Sequence, residues 1–142
     1  MLKIMTNSRR YTSSAILITF LTTVLIAAPA GQDSPKRVRF PTGRTTAVLK
    51  GTVKGKNEIV YLLRAVKGQT FTVHITSRGT KAAKLMVHDP RGRTVHHEDG
   101  TEVDDDFSAP TLETGDYRIH VFIPDAKGTT DSARFTLEVS IR

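Results

Sequence analysis

The feature that most constrains this chain is the alternation of apolar and polar side chains through residues 61–75, YLLRAVKGQTFTVHI. Tyr61, Leu63 and Ala65 fall on one parity, as do Phe71, Val73 and Ile75 beyond Lys67-Gly68-Gln69. A period of two sends one set to a core face and the other to solvent, which is the signature of strands and not of helices. Gly68 supplies the backbone freedom that a short connection needs. The expectation is a hairpin, and most of the chain repeats its pattern.

Further strands are expected at 36–40, 46–53, 83–88, 93–96, 107–112, 117–123 and 134–142. The first is an edge strand guarded by its charges, and Gly51 marks a bulge in the second. Tyr117, Ile119, Val121 and Ile123 form one inward set, and Phe135, Leu137, Val139 and Ile141 another. Asp89-Pro90-Arg91-Gly92 has the residue order of a type I turn. No segment after residue 30 has a helical period. Short strands at this spacing predict an all-β fold, an antiparallel β-sandwich of eight or nine strands with a jelly-roll-like arrangement.

Residues 1–30 read as a cleaved signal peptide. Lys3, Arg9 and Arg10 precede the apolar run at 15–28, and Ala28-Pro29-Ala30 offers small residues for cleavage. The run is short of the roughly 20 residues that span a bilayer, so no lasting membrane association is expected. The mature domain is then 31–142, exported to the periplasm or secreted. It contains no cysteine, so disulfides, thiolate chemistry and thiolate zinc sites are excluded.

Charge is divided unevenly along the chain. Residues 36–93 hold fourteen basic and two acidic side chains, and residues 94–142 hold four basic and eleven acidic ones. If the halves took different faces the domain would be a strong dipole. Lys36, Arg37, Arg39, Arg44, Lys50, Lys54 and Lys56 offer contacts to a polyanion, beside the plainer reading of a solvated charged face. Nucleic acid is not expected as a partner, because aromatic residues for stacking are few and the chain is exported.

The densest set of candidate ligands is His96, His97, Glu98, Asp99, Glu102 and Asp104-Asp105-Asp106. Its spacing is not that of an EF-hand, and a solvated acidic loop is the expectation, with no metal and no cofactor. His74, His88 and His120 are expected as surface histidines. No G-x-S-x-G, H-E-x-x-H or phosphate-loop motif is present, so no catalytic residues are assigned and the chain is not read as an enzyme.

Several segments carry a resemblance. Gly51-Thr52-Val53-Lys54-Gly55, Tyr61-Leu62-Leu63, Ala65-Val66-Lys67-Gly68-Gln69, Phe107-Ser108, Leu112, Gly115-Asp116-Tyr117 and the FTLEVSI close at 135–141 are similar to the periplasmic inhibitors of g-type lysozyme. Those inhibitors are a specialised form of the bacterial pre-peptidase C-terminal-like β-sandwich. The resemblance covers most of 38–141 and implies a g-type lysozyme as protein partner, inhibited by loops entering its active-site cleft. The matching loops contain Lys56, Asn57 and Glu58, then Thr114, Gly115, Asp116 and Tyr117, then Lys127. The last loop holds a single lysine where the family often carries arginines, so the planar bidentate fork is missing there. The alternation gives Tyr117 a core role and Gly115 a turn role. The alternative function is a non-catalytic secreted module binding an envelope polymer or protein, with calcium as a possible stabiliser.

Overall fold

The computed structural model describes residues 34–96 and 104–142. The expected leader and most of the acidic stretch, with His97, Glu98, Asp99 and Glu102, lie outside them. Nine strands are present: β1 (Lys36–Arg37), β2 (Thr46–Lys54), β3 (Glu58–Ala65), β4 (Thr70–Gly79), β5 (Lys84–His88), β6 (Thr94–Val95), β7 (Asp106–Pro110), β8 (Gly115–Phe122) and β9 (Ser132–Ile141). They form a five-stranded sheet, β1-β3-β8-β5-β6, and a four-stranded sheet, β2-β9-β4-β7. The all-β sandwich expected from the alternation is the observed fold. Every pairing is antiparallel except β1 with β3, which is parallel and only two residues long.

The inward parities meet between the sheets. Leu63, Leu85 and Ile119 from one sheet, and Phe71 and Leu137 from the other, are fully buried. Phe71 stacks on Phe107 with ring centroids 5.3 Å apart and meets Tyr117 of the opposite sheet at 5.2 Å. Tyr61 meets Phe135 edge-on at 6.4 Å, again from one sheet to the other. Aromatic pairs in these geometries add about 0.5–1.5 kcal/mol each beyond their area. With no cysteine in the chain, such packing is what joins the layers.

Two expectations are corrected. The 61–75 stretch is not a hairpin, because β3 and β4 lie in different sheets. Residues 66–69 form a corner, closed by a hydrogen bond from Gln69 N to Val66 O at 3.1 Å, with Gly68 at φ +92°. The expected strand at 107–112 stops at Pro110, and Thr111 leaves the ladder to hold this corner. Gly68 N donates to Thr111 O at 2.9 Å, and the buried Thr111 hydroxyl donates to Val66 O and Gln69 O at 2.5 and 2.9 Å. Alternation alone cannot separate a hairpin from such a corner, since both bury the same parity. Second, Gly51 is no bulge. It pairs in unbroken register with Phe135, whose ring lies across it; a Cβ at 51 would come within 2.5 Å of that ring. The acidic and basic halves of the chain are interleaved, because β8 and β9 sit beside β3, β2 and β4. Arg37 pairs with Asp116, Lys84 with Asp105, and both Arg91 and Arg93 with Glu113.

The turn at 89–92 forms as expected, with Gly92 N donating to Asp89 O at 2.9 Å. Asp89 is buried, and its carboxylate accepts from Arg91 N, Arg93 N and Arg93 Nε at 2.7–2.9 Å. Burial alone would raise its pKa. The hydrogen bonds from Arg93 and Arg91 outweigh that effect and hold it below the usual carboxylate range. The stabilisation is therefore complete above the unfolded-state value of 3.8 and is lost as pH falls through the lower folded value. Asp89→Ala should cost about 1–3 kcal/mol at neutral pH. Urea melts at a series of pH values should also show a shallower acid loss below about pH 4 in the variant than in the parent. Parallel acid limbs would contradict this account.

Candidate functional site

The residues expected to meet a partner fall at two opposite ends of the sandwich. At one end the β2–β3 turn carries Lys56, Asn57 and Glu58, and the β8–β9 loop carries Lys127. These loops touch. Gly55 N donates to Asp131 O at 2.8 Å, and Asn57 N donates to Lys54 O at 3.1 Å. Gly55 has φ +56°, and a Cβ there would press on Gly128 O at 3.1 Å. The β8–β9 loop is braced by Lys127 N donating to Asp131 Oδ2 at 2.9 Å and by Lys81 Nζ donating to Asp125 O at 3.1 Å.

The Lys56 and Lys127 residues on this double loop are exposed. Their ammonium groups have no carboxylate within ion-pairing distance among the described residues. Asn57 is exposed beside them. Glu58 is half-buried and engaged, with Oε2 3.1 Å from His120 Nδ1. A groove of about 390 Å³ opens here between Lys56, Glu58, Met86, Phe122, Ile123 and Ala126.

His120 corrects the expectation of a surface histidine: its side chain is only 13% exposed. It meets His88 edge-on at 4.6 Å. Burial, then the neighbouring His120 and Arg118, push the His88 imidazole below its ordinary range. His74 remains exposed and pairs with Asp106.

Thr114, Gly115, Asp116 and Tyr117 lie at the other end, about 25 Å away along the eight residues of β8. Each has a structural task. Thr114 Oγ1 accepts from Lys67 N at 3.0 Å, tying it to the β3–β4 corner. Gly115 is no turn residue; it opens β8 and packs so closely on Pro90 that a Cβ would sit 2.6 Å from that ring. Asp116 takes a two-pronged contact from Arg37 at 3.0 and 2.8 Å. The Arg37 guanidinium holds this carboxyl below the usual range, against a smaller opposing effect of burial. Tyr117 is buried, as its alternation indicates, and its hydroxyl donates back to Glu113 O at 3.1 Å. That is the tyrosine-corner arrangement, which pins the start of a strand to the loop before it. Two residues that sequence reasoning missed stand out at this end: Leu112 and Val66 are 71% and 53% exposed. Their apolar character was visible, but their position on loop tips was not.

Asp104, Asp105 and Asp106 do not converge. Asp104 exchanges backbone hydrogen bonds with Leu85, Asp105 pairs with Lys84, and Asp106 pairs with His74. Among the described residues no group of three or more histidines and carboxylates could hold a metal ion.

No protein-family model matches the chain, and no curated protein matches its sequence. Solved structures do. The periplasmic inhibitor of g-type lysozyme from Aeromonas hydrophila superposes with a TM-score of 0.62 at 28% identity, over 77% of this chain and 96% of that one. The chain resembles the g-type lysozyme inhibitors in structure. The corresponding inhibitor of Salmonella Typhimurium aligns at 0.57 and 19% identity, over 76% and 97% of the two chains. A mutant of the Escherichia coli inhibitor aligns at 0.55 and 22%, over the same shares. These last two speak for the fold. The matched proteins are inhibitors and not enzymes, in keeping with a sequence that carries no catalytic motif.

The residues at the Thr114–Tyr117 end have tasks in the fold. Gly115→Ala should lose about 1–3 kcal/mol of stability through overpacking against Pro90, read as a shifted urea midpoint with unchanged slope. A stability equal to the parent would show that Pro90 yields freely.

Proposed function

We propose that this chain is a proteinaceous inhibitor of g-type lysozyme that works in the periplasm or after secretion. The observation that carries the proposal is the likeness to the Aeromonas hydrophila inhibitor, 28% identical over 96% of its length. An export-type leader and the lack of a catalytic motif agree with it.

Inhibition proceeds by insertion of the double loop bearing Lys56, Asn57 and Lys127 into the lysozyme cleft. Glycosidase clefts depend on carboxylates, one of which is held protonated by its surroundings. An ammonium placed beside such a group forms a charge-assisted hydrogen bond and favours its ionised form. It also occupies the space of the substrate. Lys56 and Lys127 suit that task because neither forms an ion pair with a described residue, whereas Arg37, Arg91, Arg93, Glu113 and Asp116 at the opposite end are committed to one another. The hydrogen bond from Gly55 to Asp131 joins the two loops before any encounter, which lowers the ordering cost of binding.

A second reading has one observation in its favour. Leu112 and Val66 are exposed apolar side chains beside Lys67, Arg91 and Arg93, an apolar centre with a polar rim such as protein interfaces use. On this reading the Thr114–Asp116 end docks instead. A cell-wall lysis assay titrating residues 31–142 against a g-type and a c-type lysozyme decides both questions. The g-type enzyme alone should be inhibited, and Lys56→Ala with Lys127→Ala should weaken inhibition by about tenfold or more, roughly 1.4 kcal/mol or greater. If that pair leaves inhibition intact and Leu112→Ser abolishes it, the opposite end is the docking surface. If neither lysozyme slows at high excess, the function is not inhibition.

A further inference from the structure

The outer face of the four-stranded sheet has a charge pattern that neither the fold nor lysozyme inhibition uses. β2, β9 and β4 run side by side in unbroken register, so their outward residues form rows. Thr52, Arg134 and Arg78 make one row, and Lys50, Thr136 and Thr76 the next. The threonines are short and the cations long, so the surface holds a trough of about 770 Å³ lined by hydroxyls and by Lys50, Arg78 and Arg134, the last on the central strand. Lys54 extends the cationic set along β2.

Arg78 and Arg134 are directly opposed cross-strand partners. Like charges in that position are destabilising, since side chains there lie close enough to repel. Neither arginine, nor Lys50 or Lys54, forms an ion pair with a described residue. Carboxylate partners are held by Arg37, Lys84, Arg91 and Arg93, all away from this face; what sets this face apart is that four unpaired cations share it, two of them directly opposed. On this face the nearest acid is Glu138, one row beyond Thr136, and it makes no ion pair with a described residue either. Farther along, Asp106 is engaged with His74.

We propose that this trough binds an anionic polysaccharide. An anion bound among these four exposed cations would lower their mutual repulsion. Guanidinium groups supply planar donors suited to sulfate, phosphate or carboxylate oxygens, and the threonine hydroxyls add donors between them. The extent of the cationic set selects a polymer over a single ion: Lys50 and Lys54 are four residues apart on one strand, about 13 Å. The lack of an outward aromatic side chain in the trough argues against single-stranded nucleic acid, whose bases are held by stacking. The site lies on a sheet face; its Lys54 end adjoins the β2–β3 turn, where Asn57 N donates to Lys54 O, but none of its cations belongs to the proposed docking loops.

Binding of residues 31–142 to low-mass dextran sulfate, with neutral dextran and a single-stranded DNA oligomer in parallel, tests the assignment by titration calorimetry. Dextran sulfate should bind, with affinity falling as salt rises because counterions are released, and neutral dextran should not. Combined Arg78→Thr and Arg134→Thr should weaken binding by about tenfold or more without lowering the melting temperature, because the removed pair is repulsive. Lys67→Thr, on the distant β3–β4 corner, should change affinity by less than about threefold. The assignment is overturned if dextran sulfate fails to bind at low salt or if Lys67→Thr weakens binding as much as the double variant. It is equally overturned if the DNA oligomer binds more tightly than dextran sulfate.

Discussion

The contact on which the structure most depends is that of Phe71 with Tyr117 across the sheet interface. A chain without cysteine has no covalent tie between its layers, so inward side chains must hold them together. Phe71 is fully buried, stacks on Phe107 in its own sheet and meets Tyr117 of the other. The same Tyr117 hydroxyl reaches back to Glu113. One cluster thus joins the layers and fixes where β8 begins. Thr111 completes the arrangement nearby, because its hydroxyl and its backbone N both donate to carbonyls of the β3–β4 corner.

Electrostatics has a different role. The basic first half and the acidic second half of the chain are interleaved by the strand order, and Arg37, Lys84, Arg91 and Arg93 pair with carboxylates of the second half. Most of these pairs are exposed and add little stability individually. Many cations are left without an ion pair to a described residue, and six of them stand in two groups. Lys56 and Lys127 stand on the joined loops, and Lys50, Lys54, Arg78 and Arg134 stand on the outer sheet face. Those positions, not the overall charge, are where an anionic partner or a carboxylate-lined cleft would be met.

The β-sandwich, its inward residues and the turn at 89–92 were legible in the sequence, because alternation and turn chemistry are local signals. The parity of Tyr61, Phe71, Tyr117 and Phe135 identified the core aromatic residues before any contact was known. Which strands pair was not legible. The 61–75 stretch reads equally as a hairpin or as a corner between sheets, and only the position of Thr111, more than forty residues away, decides it. Gly51 suggested a bulge because nothing local shows that the Phe135 ring needs its space. The candidate partner residues were gathered from three loops by resemblance, yet β8 carries two of those loops at opposite ends. His120 was misjudged because its cover comes from Glu58 and His88, on neighbouring strands.

On the proposed function, the joined loops at 55–58 and 124–131 enter the cleft of a g-type lysozyme. Hydrogen–deuterium exchange of residues 31–142, alone and with saturating g-type lysozyme, tests it most directly. The account predicts slowed exchange confined to those two loops and the adjoining end of β8, with residues 111–116 unchanged. Protection at 111–116 with the joined loops unaffected would contradict it.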